Sequence, residues 1–245
     1  MLSNEVQIKN NLLESINKKD NTSIGIFDDS NNIIGFFVFL IIEEEKYGEV
    51  IVGLSDNKEA YNELFKYLFH NYSGYKIDFV YNPKNDLLNN ILKEYNAIFE
   101  IEQQKMQLDK FNFIKRKNEV VLYSNKYKEQ YINIHLKCTY WTGDKVLTAL
   151  DKFRVILAIK NGKVIGYVDI THKYDENEPY DVFVKEEYRN NEIATDMLSY
   201  AIDLDKNKRI MLLVDIDNVA AIKLYEKLGF KKVKGNNITA HLFIK

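Results

Sequence analysis

The chain has 245 residues, with 34 Lys and Arg against 36 Asp and Glu and a formal net charge of -2. This near-neutral balance gives no overall attraction to polyanions, so neither nucleic acid nor an anionic membrane surface is an expected partner. A hydrophobic content of 46% excludes wholesale disorder and suffices for one large domain or two of ordinary size. Cys138 is the single cysteine, so no intramolecular disulfide can form and we expect a reducing, cytoplasmic setting.

The start of the sequence and its longest apolar run bear on targeting. Residues 1–5 contain neither a basic nor an apolar region, so we expect no signal peptide. The longest apolar run, 33–42, is shorter than the roughly 20 residues that a membrane-spanning helix needs. Its β-branched and aromatic residues instead predict a buried strand.

The first half of the chain is predicted to open with a hairpin and then to alternate strands with helices. Turn-forming residues fill 28–32, and Asp56 or Asn57 can cap the first helix. That helix is indicated by apolar residues at helical spacing, namely Tyr61, Leu64, Phe65 and Leu68. A second helix is predicted over 85–95, and the predicted strands cover 23–27, 33–42, 49–54, 76–81 and 98–108.

The second half repeats this order of elements. A hairpin with Asn161-Gly162 as its turn is followed by strand, helix, strand, helix and a strand-like tail, predicted at 154–159, 163–171, 180–184, 193–203, 209–215, 219–228 and 230–245. Ile33-Ile34-Gly35 matches Val164-Ile165-Gly166 at nearly the offset that relates the helix starts Asn85 and Asn218. We therefore predict two similar α/β domains, 1–117 and 118–245, with 111–118 as the crossing connection.

Two segments of the second half carry candidate chemistry. The first, 182–195, runs from a strand into a helix amino terminus, whose free amides form a cradle for phosphate. An ordinary strand–helix corner is the alternative. In the second segment, Asn218 can cap a helix, Tyr225 follows two turns later and Gly229 suits a left-handed end. Its alternative is a well-capped helix with a core tyrosine.

Together these segments resemble the GCN5-related N-acetyltransferase (GNAT) superfamily. Val184-x-x-x-Tyr188-Arg189-x-x-Glu192-Ile193-Ala194-Thr195 is similar to its pyrophosphate-binding motif, Arg/Gln-x-x-Gly-x-Gly/Ala. Asn218-x-x-Ala221-x-x-Leu224-Tyr225-Glu-Lys-x-Gly229-Phe230 is similar to its second coenzyme A motif. With the preceding hairpin, the resemblance covers about residues 120–245.

The resemblance implies a fold and an activity. The fold is two tandem acyl-CoA N-acyltransferase-like domains of the α/β (α+β) class, each a mixed, mostly antiparallel twisted sheet flanked by helices. The activity is transfer of acetyl from acetyl-CoA to a primary amine of a small molecule or peptide, by direct attack in a ternary complex. A monomer or homodimer is expected, without a metal. A non-catalytic coenzyme A sensor or interaction scaffold is the alternative.

The resemblance also implies roles for individual residues. The pantetheine arm would be bound by backbone groups of Val182, Phe183 and Val184 and by the helix residues Asn218 and Ala221. The pyrophosphate would be bound by the backbone amides of Arg189, Asn190, Asn191, Glu192, Ile193, Ala194 and Thr195. The Tyr225 phenol is placed near the thioester sulfur as general acid, and the Val184 amide is the donor to the thioester oxygen.

This sequence departs from the family pattern at the phosphate loop. Glu192 stands where the family usually has glycine, and Asn190 replaces another frequent glycine. A carboxylate beside a diphosphate costs Coulomb energy, and a Cβ limits how closely the backbone can approach. We expect weaker cofactor binding as a result.

The base and the acceptor site are less constrained by sequence. Glu178 and Asp181 are the carboxylates available as general base, while a water chain, or a solvated surface position for Glu178, remains open. The helices predicted over 125–137 and 143–150 would set acceptor specificity. Between them, Tyr140 and Trp141 either line the acceptor pocket or pack the corner between the helices.

Other chemistries find little support. The sequence contains neither Gly-x-Ser-x-Gly nor a Walker-type loop, and a solvated or packed pair is favoured over a zinc site for His135 and Cys138. In the first half, Leu92 stands where the repeat has Tyr225, and the loop after Gly53 lacks the phosphate motif. We therefore predict that the first domain is degenerate and does not bind acetyl-CoA. It could shape the acceptor cleft, form an interface or stabilise its partner domain.

Overall fold

The computed structural model of the protein describes residues 21–137, 140–205 and 207–245, which divide into two compact units. The first unit contains the residues up to 104 together with 234–245, and the second contains 105–233. Residues 1–5, for which no signal peptide is predicted, and Cys138 lie outside the described residues. The units differ from the predicted domains at their ends because the final strand of the chain pairs with a strand near residue 80.

The described residues form thirteen strands and six α-helices. The strands are β1 (Asn21–Phe27), β2 (Ile33–Ile42), β3 (Tyr47–Leu54), β4 (Lys76–Tyr81), β5 (Ile98–Phe99), β6 (Gln103–Leu108), β7 (Glu119–Leu122), β8 (Phe153–Lys160), β9 (Lys163–Thr171), β10 (Glu176–Asn177), β11 (Pro179–Val184), β12 (Arg209–Asp215) and β13 (Phe230–Phe243). The helices are α1 (Lys58–Asn71), α2 (Asp86–Glu94), α3 (Lys128–Ile134), α4 (Gly143–Thr148), α5 (Ile193–Leu204) and α6 (Val219–Leu228). None of these helices is long and apolar enough to cross a membrane.

The described residues of the first unit form a mixed sheet with two helices. β1, β2 and β3 pair antiparallel in sequence, β3 pairs with β4 in parallel, and β4 pairs antiparallel with β13. Asn57 caps α1 by accepting from the Glu59 amide at 2.7 Å, and Asn85 caps α2 by accepting from the Leu88 amide at 3.0 Å. Capped in this way, the helices bury their apolar faces on the sheet, with Phe37, Leu64, Phe65, Ile91 and Leu92 at its centre.

The second unit has the same mixture of pairings. β7, β8, β9 and β11 form an antiparallel sheet, whereas β12 lies between β6 and β10, and its pairing with β10 is parallel. Its core packs α5 and α6 against these strands through residues such as Ile156, Met197, Leu198, Leu212 and Leu228. The predicted fold class, a mixed, mostly antiparallel sheet flanked by helices, is confirmed.

Three predicted elements differ in extent from the observed ones. The strand predicted over 98–108 is two strands, because β5 pairs with β13 whereas β6 lies beside β12. The helix predicted over 125–137 is a 3-10 turn followed by α3, and it ends where His135 takes an extended conformation (ψ 139). The helix predicted over 143–150 stops at Thr148.

Gly229 ends α6 in the left-handed conformation, as its position after the helix predicts. Its φ is 102, and its carbonyl accepts from the Asp109 amide at 3.2 Å. A Cβ at this position would lie 1.8 Å from the Lys110 carbonyl oxygen. Gly162, at the tip of the β8–β9 hairpin, shares the positive φ (72), yet a Cβ there would meet nothing within 4 Å.

Gly229→Ala is therefore expected to destabilise the chain far more than Gly162→Ala. A left-handed alanine alone costs about 1–3 kcal/mol, which both variants bear. Displacing the Lys110 backbone adds roughly 1–3 kcal/mol in Gly229→Ala only. Chemical denaturation of both variants measures this difference. Equal losses would show that the segment around Lys110 moves aside freely.

Candidate active site

The second unit contains a cleft where two strands diverge. Asn177 on β10 pairs in parallel with Ile210 on β12. From Pro179 onwards the chain instead pairs with β9, where Asp181 stands opposite Asp169. Thr171 fixes the point of divergence through Glu178: the Glu178 amide donates to Thr171 Oγ1 at 2.8 Å, and the Thr171 amide donates to the Glu178 carbonyl at 2.9 Å. β11 and β12 consequently belong to different sheets and bound an open wedge.

β11 turns part of its backbone towards this wedge. The Lys185 amide donates to the Ile165 carbonyl of β9 at 2.9 Å, which sets the alternation along the antiparallel pair. By that alternation Phe183 faces β9 with its backbone, whereas Val182 and Val184 face away from it. The Val184 carbonyl accepts from Arg189 Nε at 3.1 Å, so the Val184 amide remains as a donor on the wedge side.

Tyr225, on α6, brings a phenol to the same region as two carboxylates. Its side chain is buried, with its ring 5.8 Å from that of Phe230. Burial raises the pKa of Tyr225 to about 12, and the negative charges of Asp181 and Glu178 act in the same direction. The structure thus brings together the three residues that the sequence assigned to proton transfer, and the phenol keeps its proton at neutral pH.

Glu178 is poised for proton exchange near neutrality. Burial raises the pKa of its carboxyl to about 7, although the Leu213 amide of β12 and the charge of Lys105 favour the ionised form. A carboxyl with this pKa is ionised in a large fraction of molecules at neutral pH and still binds a proton readily, as a general base must. The predicted alternative of a solvated surface glutamate therefore loses support.

The predicted phosphate-binding segment, 189–195, leads into α5, and the N-cap side chain of this helix makes no hydrogen bond to the helix amides. Glu192 is the N-cap residue of α5, and its side chain makes no capping hydrogen bond, whereas Asn218 caps α6 by accepting from the Ala221 amide at 3.1 Å. First-turn amides of α5 can therefore meet an anion. Asn190 (φ 64) and Glu192 (φ 60) both adopt the left-handed conformation, so the two residues that replace glycines stand where glycine is the unstrained choice.

The charge of Glu192 is compensated by two lysines. Its carboxylate lies 2.5 Å from Lys117 Nζ and 2.8 Å from Lys227 Nζ, and these hydrogen bonds and charges lower the pKa of Glu192 to about 2. The three side chains together carry one net positive charge. The two lysines offset the repulsion that the sequence predicts between Glu192 and a diphosphate. We therefore expect Glu192 to weaken cofactor binding less than the sequence alone predicts.

We expect the Glu192 carboxyl to titrate near 2 and to move towards the ordinary glutamate value when either lysine is replaced by Met. Removing an ammonium group removes part of what favours the carboxylate. The measurement is a pH titration of the Glu192 side-chain carbon by NMR, and 1 M salt provides the control, since screening should weaken the exposed pairs. An ordinary pKa in the unmodified chain would rule out this ion-pair triad.

The structure also places a buried polar network behind Asp181 that sequence reasoning missed. His135 Nε2 lies 2.8 Å from Asp169 Oδ2 and 3.9 Å from Asp181 Oδ2, while Nδ1 lies 2.8 Å from the Leu136 carbonyl. Both ring nitrogens thus face acceptors. Burial disfavours the imidazolium, but the Asp169 carboxylate and the Leu136 carbonyl outweigh it and raise the pKa of His135. We assign His135 as a buried cation between two carboxylates.

Two tyrosines complete the network. Tyr131 Oη contacts the Asp169 carboxylate at 2.9 Å, and Tyr167 Oη donates to Asp181 Oδ2 at 2.8 Å. These contacts tie α3 and the segment after it to the strands that carry Asp169 and Asp181. The sequence did contain one signal, since Asp169 interrupts the otherwise apolar inner half of the strand 163–171.

The same three ionisable residues offer ligand atoms for a cation. One nitrogen of His135 and one oxygen each of Asp169 and Asp181 lie within 4.8 Å of one another. The 2.8 Å contact between His135 and Asp169 is nevertheless that of a hydrogen bond, and His135 would have to lose its Nε2 proton to bind a metal. We therefore assign the cluster to hydrogen bonding.

Tyr140 and Trp141 have different environments. The Trp141 ring packs at 4.8 Å against Phe153, the first residue of β8, whereas Tyr140 is 38% exposed and stacks edge-on against Trp141 at 5.6 Å. Packing of the corner therefore accounts for Trp141. Tyr140 has the exposure that a residue of an acceptor pocket needs.

Comparison with known proteins gives a family match within the second unit. Residues 120–230 match the Acetyltransferase (GNAT) family. A curated N-alpha-acetyltransferase of Saccharolobus solfataricus is 47% identical over 57 residues, which are 22% of this chain and 34% of that protein, so the match spans about a third of the relative's length.

Solved structures show the fold over most of the chain. A GCN5-related N-acetyltransferase from Sphaerobacter thermophilus has a TM-score of 0.64 and 10% identity, covering 91% of this chain and 81% of its own. A tandem GNAT protein from the clavulanic acid biosynthesis pathway has a TM-score of 0.59 and 11% identity, covering 93% and 84%. The second unit, which matches the family over residues 120–230, belongs to the GNAT family.

Proposed function

We propose that this chain is an N-acetyltransferase that moves the acetyl group of acetyl-CoA to a primary amine by direct attack in a ternary complex. The observation that carries the proposal is that Glu178 stands where the chain leaves β12 for β9, and that its charge and that of Asp181 act on the buried phenol of Tyr225. The uncapped start of α5 follows the same strand after the phosphate loop. A base, an acid and an anion site thus lie on the elements that bound one wedge.

The residues around the wedge fit the cofactor, which when bound supplies the acetyl thioester. First-turn amides of α5, with Lys117 and Lys227, would hold the diphosphate. The outward backbone of Val182 and Val184 would bind the pantetheine arm as an added strand does. Asn218 is already engaged as the α6 cap, so its share in binding would come from the side-chain NH₂ group.

The proton-transfer roles follow from the charges. Asp181, held by Tyr167 at 2.8 Å, would attract the acceptor while its amine is still protonated. Glu178, with its pKa of about 7, would take one proton from the ammonium group before the attack, because only the neutral amine has a lone pair to bond to the acetyl carbon. The second proton, which the nitrogen loses once that bond has formed, would replace the one that the Tyr225 phenol gives up. The Val184 amide would donate to the thioester oxygen, and the Tyr225 phenol would donate its hydrogen to the departing sulfur.

The acceptor belongs to the class of small-molecule or peptide amines. The curated relative is named for acetylation of α-amines, and transfer of that specificity to this chain is part of the proposal. Tyr140 would line the acceptor side, since it is exposed on the segment between α3 and α4. A cytoplasmic location is supported by the single cysteine.

The first unit is proposed to take no part in the chemistry. Leu92, which stands where the repeat has Tyr225, is fully buried among apolar residues of that unit. The side chain of Asn57 caps α1 and occupies the Glu59 amide, so the amino terminus of this helix is a poorer place for an anion than the uncapped start of α5.

Release of coenzyme A from acetyl-CoA, in the presence of a panel of small amines and peptides, tests the proposal. We expect Tyr225→Phe to lower turnover by about 10²–10⁴-fold. Acetyl-CoA affinity should change little, because the phenol acts on the leaving sulfur and not on ground-state binding. Tyr200→Phe, on α5, is the matched control. Failure of the unmodified chain to bind acetyl-CoA by calorimetry would favour the interaction-scaffold interpretation instead.

The pH dependence should identify the base. Because Glu178 is active only when ionised, kcat/KM is expected to rise with pH through about 7 and then level off. Glu178→Gln should remove this limb as well as lower the rate, whereas Glu186→Gln, at an exposed position, should preserve it. Loss of the limb in Asp181→Asn but not in Glu178→Gln would assign the base to Asp181.

A further inference from the structure

The first unit contains an apolar cavity where its own two parallel strands part. The pairing of β3 with β4 covers Tyr47–Val50 and Lys76–Phe79, and both strands continue beyond it. In the space that opens lies a cavity of about 140 Å³. Its inner wall is formed by the buried residues Phe37, Leu64, Phe79 and Leu88.

The mouth of the cavity is apolar as well. Ile51, Leu54 and Val80 line it and are 39%, 39% and 41% exposed. Three aliphatic side chains around one opening leave a hydrophobic surface in contact with water, which a bound apolar molecule would cover. Three of the described lining residues, Tyr61, Tyr81 and Asn85, also carry polar groups; the Tyr61 hydroxyl donates to the Ser55 carbonyl at 3.4 Å, and the Tyr81 hydroxyl donates to Asn89 Oδ1 at 2.8 Å.

The size of the cavity sets the size of its ligand. A cavity of about 150 Å³ lined by Leu, Ile and Phe binds benzene in another protein. The cavity of the first unit, at about 140 Å³, has room for a group of the same size. A molecule much larger than a six-membered ring would extend past Ile51 and Val80 into solvent.

The lining excludes a charged ligand. Among the described residues that line the cavity, none is Asp, Glu, Lys, Arg or His. A charge brought into such surroundings would lose its hydration without gaining a partner. The neighbouring start of α1 offers no compensation for an anion, because Asn57 occupies the Glu59 amide and the Glu59 side chain is itself acidic.

We propose that the first unit binds a neutral small molecule of about six carbon atoms, aromatic or aliphatic, between the ends of β3 and β4. Its apolar part lies against Phe37, Leu64 and Leu88, and a single hydroxyl or amide can reach Tyr61 and Asn85. This site is separate from the wedge of the second unit and does not depend on acetyl transfer.

The test uses the full chain and phenol as probe, followed through the methyl NMR signals of Leu64 and Leu88. Phenol is neutral at pH 7 and matches the cavity in size and in its single hydroxyl. We expect saturable shifts of these methyl signals. Benzoate, of similar shape but charged, should bind at least tenfold more weakly. Equal binding of benzoate, or no saturable shift with phenol, would overturn the proposal.

A variant that fills the cavity keeps the test independent of unfolding. A Cβ at Gly53 would meet only the Phe37 ring, at 3.7 Å and 3.8 Å, so Gly53→Val fits β3 and occupies the cavity wall. We expect phenol affinity to fall at least tenfold. Ser23→Val places the same side chain on an exposed position of β1 and should leave affinity unchanged. Undiminished binding in folded Gly53→Val would place phenol elsewhere and refute the site.

Discussion

The arrangement of the second unit depends on one constraint, the divergence of the chain from β12 to β9 at Glu178. Two hydrogen bonds with Thr171, of 2.8 and 2.9 Å, draw the backbone towards β9 immediately after its short parallel pairing with β12. Had the parallel pairing continued, β11 and β12 would close into one sheet and leave no wedge. The divergence therefore exposes the Val184 amide and holds the Glu178 carboxyl near the phenol of Tyr225.

The acidic residues of the candidate site differ in whether a basic side chain lies beside them. Glu192 is matched by Lys117 and Lys227 at the surface, and Asp169 is matched by His135 in the interior. Glu178 has no such close cationic partner among the contacts described, and burial raises its pKa to about 7. Pairing with two lysines holds the Glu192 carboxylate ionised, whereas burial raises the pKa of Asp169 despite its hydrogen bond to His135. The proposed base, Glu178, is left free to exchange a proton.

Both units contain parallel strands that diverge, but the residues around the divergence differ. In the second unit the wedge is bounded by the uncapped start of α5 and by a buried phenol; in the first unit it is bounded by a capped helix and apolar side chains. Leu92 stands in place of a tyrosine and Asn57 occupies the Glu59 amide, so these positions of the first unit lack counterparts of the proposed acid and of the proposed anion site. What remains is a neutral cavity, which is why we infer a ligand of different chemistry there.

The sequence by itself determined the local features: which segments form helices and strands, the Asn218 cap, the left-handed Gly229 and the family motifs. For the cap of the first helix it left Asp56 and Asn57 open. Such features depend on neighbours a few residues apart, so a linear pattern contains them. The same reasoning placed Tyr225, Glu178 and Asp181 as candidates, because motif spacing locates them relative to the cofactor segments.

Only the tertiary structure decided which residues pair with Glu192 and with His135. Glu192 meets Lys117 and Lys227 across 75 and 35 residues of sequence, and His135 meets Asp169 across 34. The pairing of β13 with β4, which carries the end of the chain into the first unit, is likewise a contact between distant segments. Coulomb energy and burial depend on distances in space, and long-range strand pairing sets those distances while local sequence pattern does not.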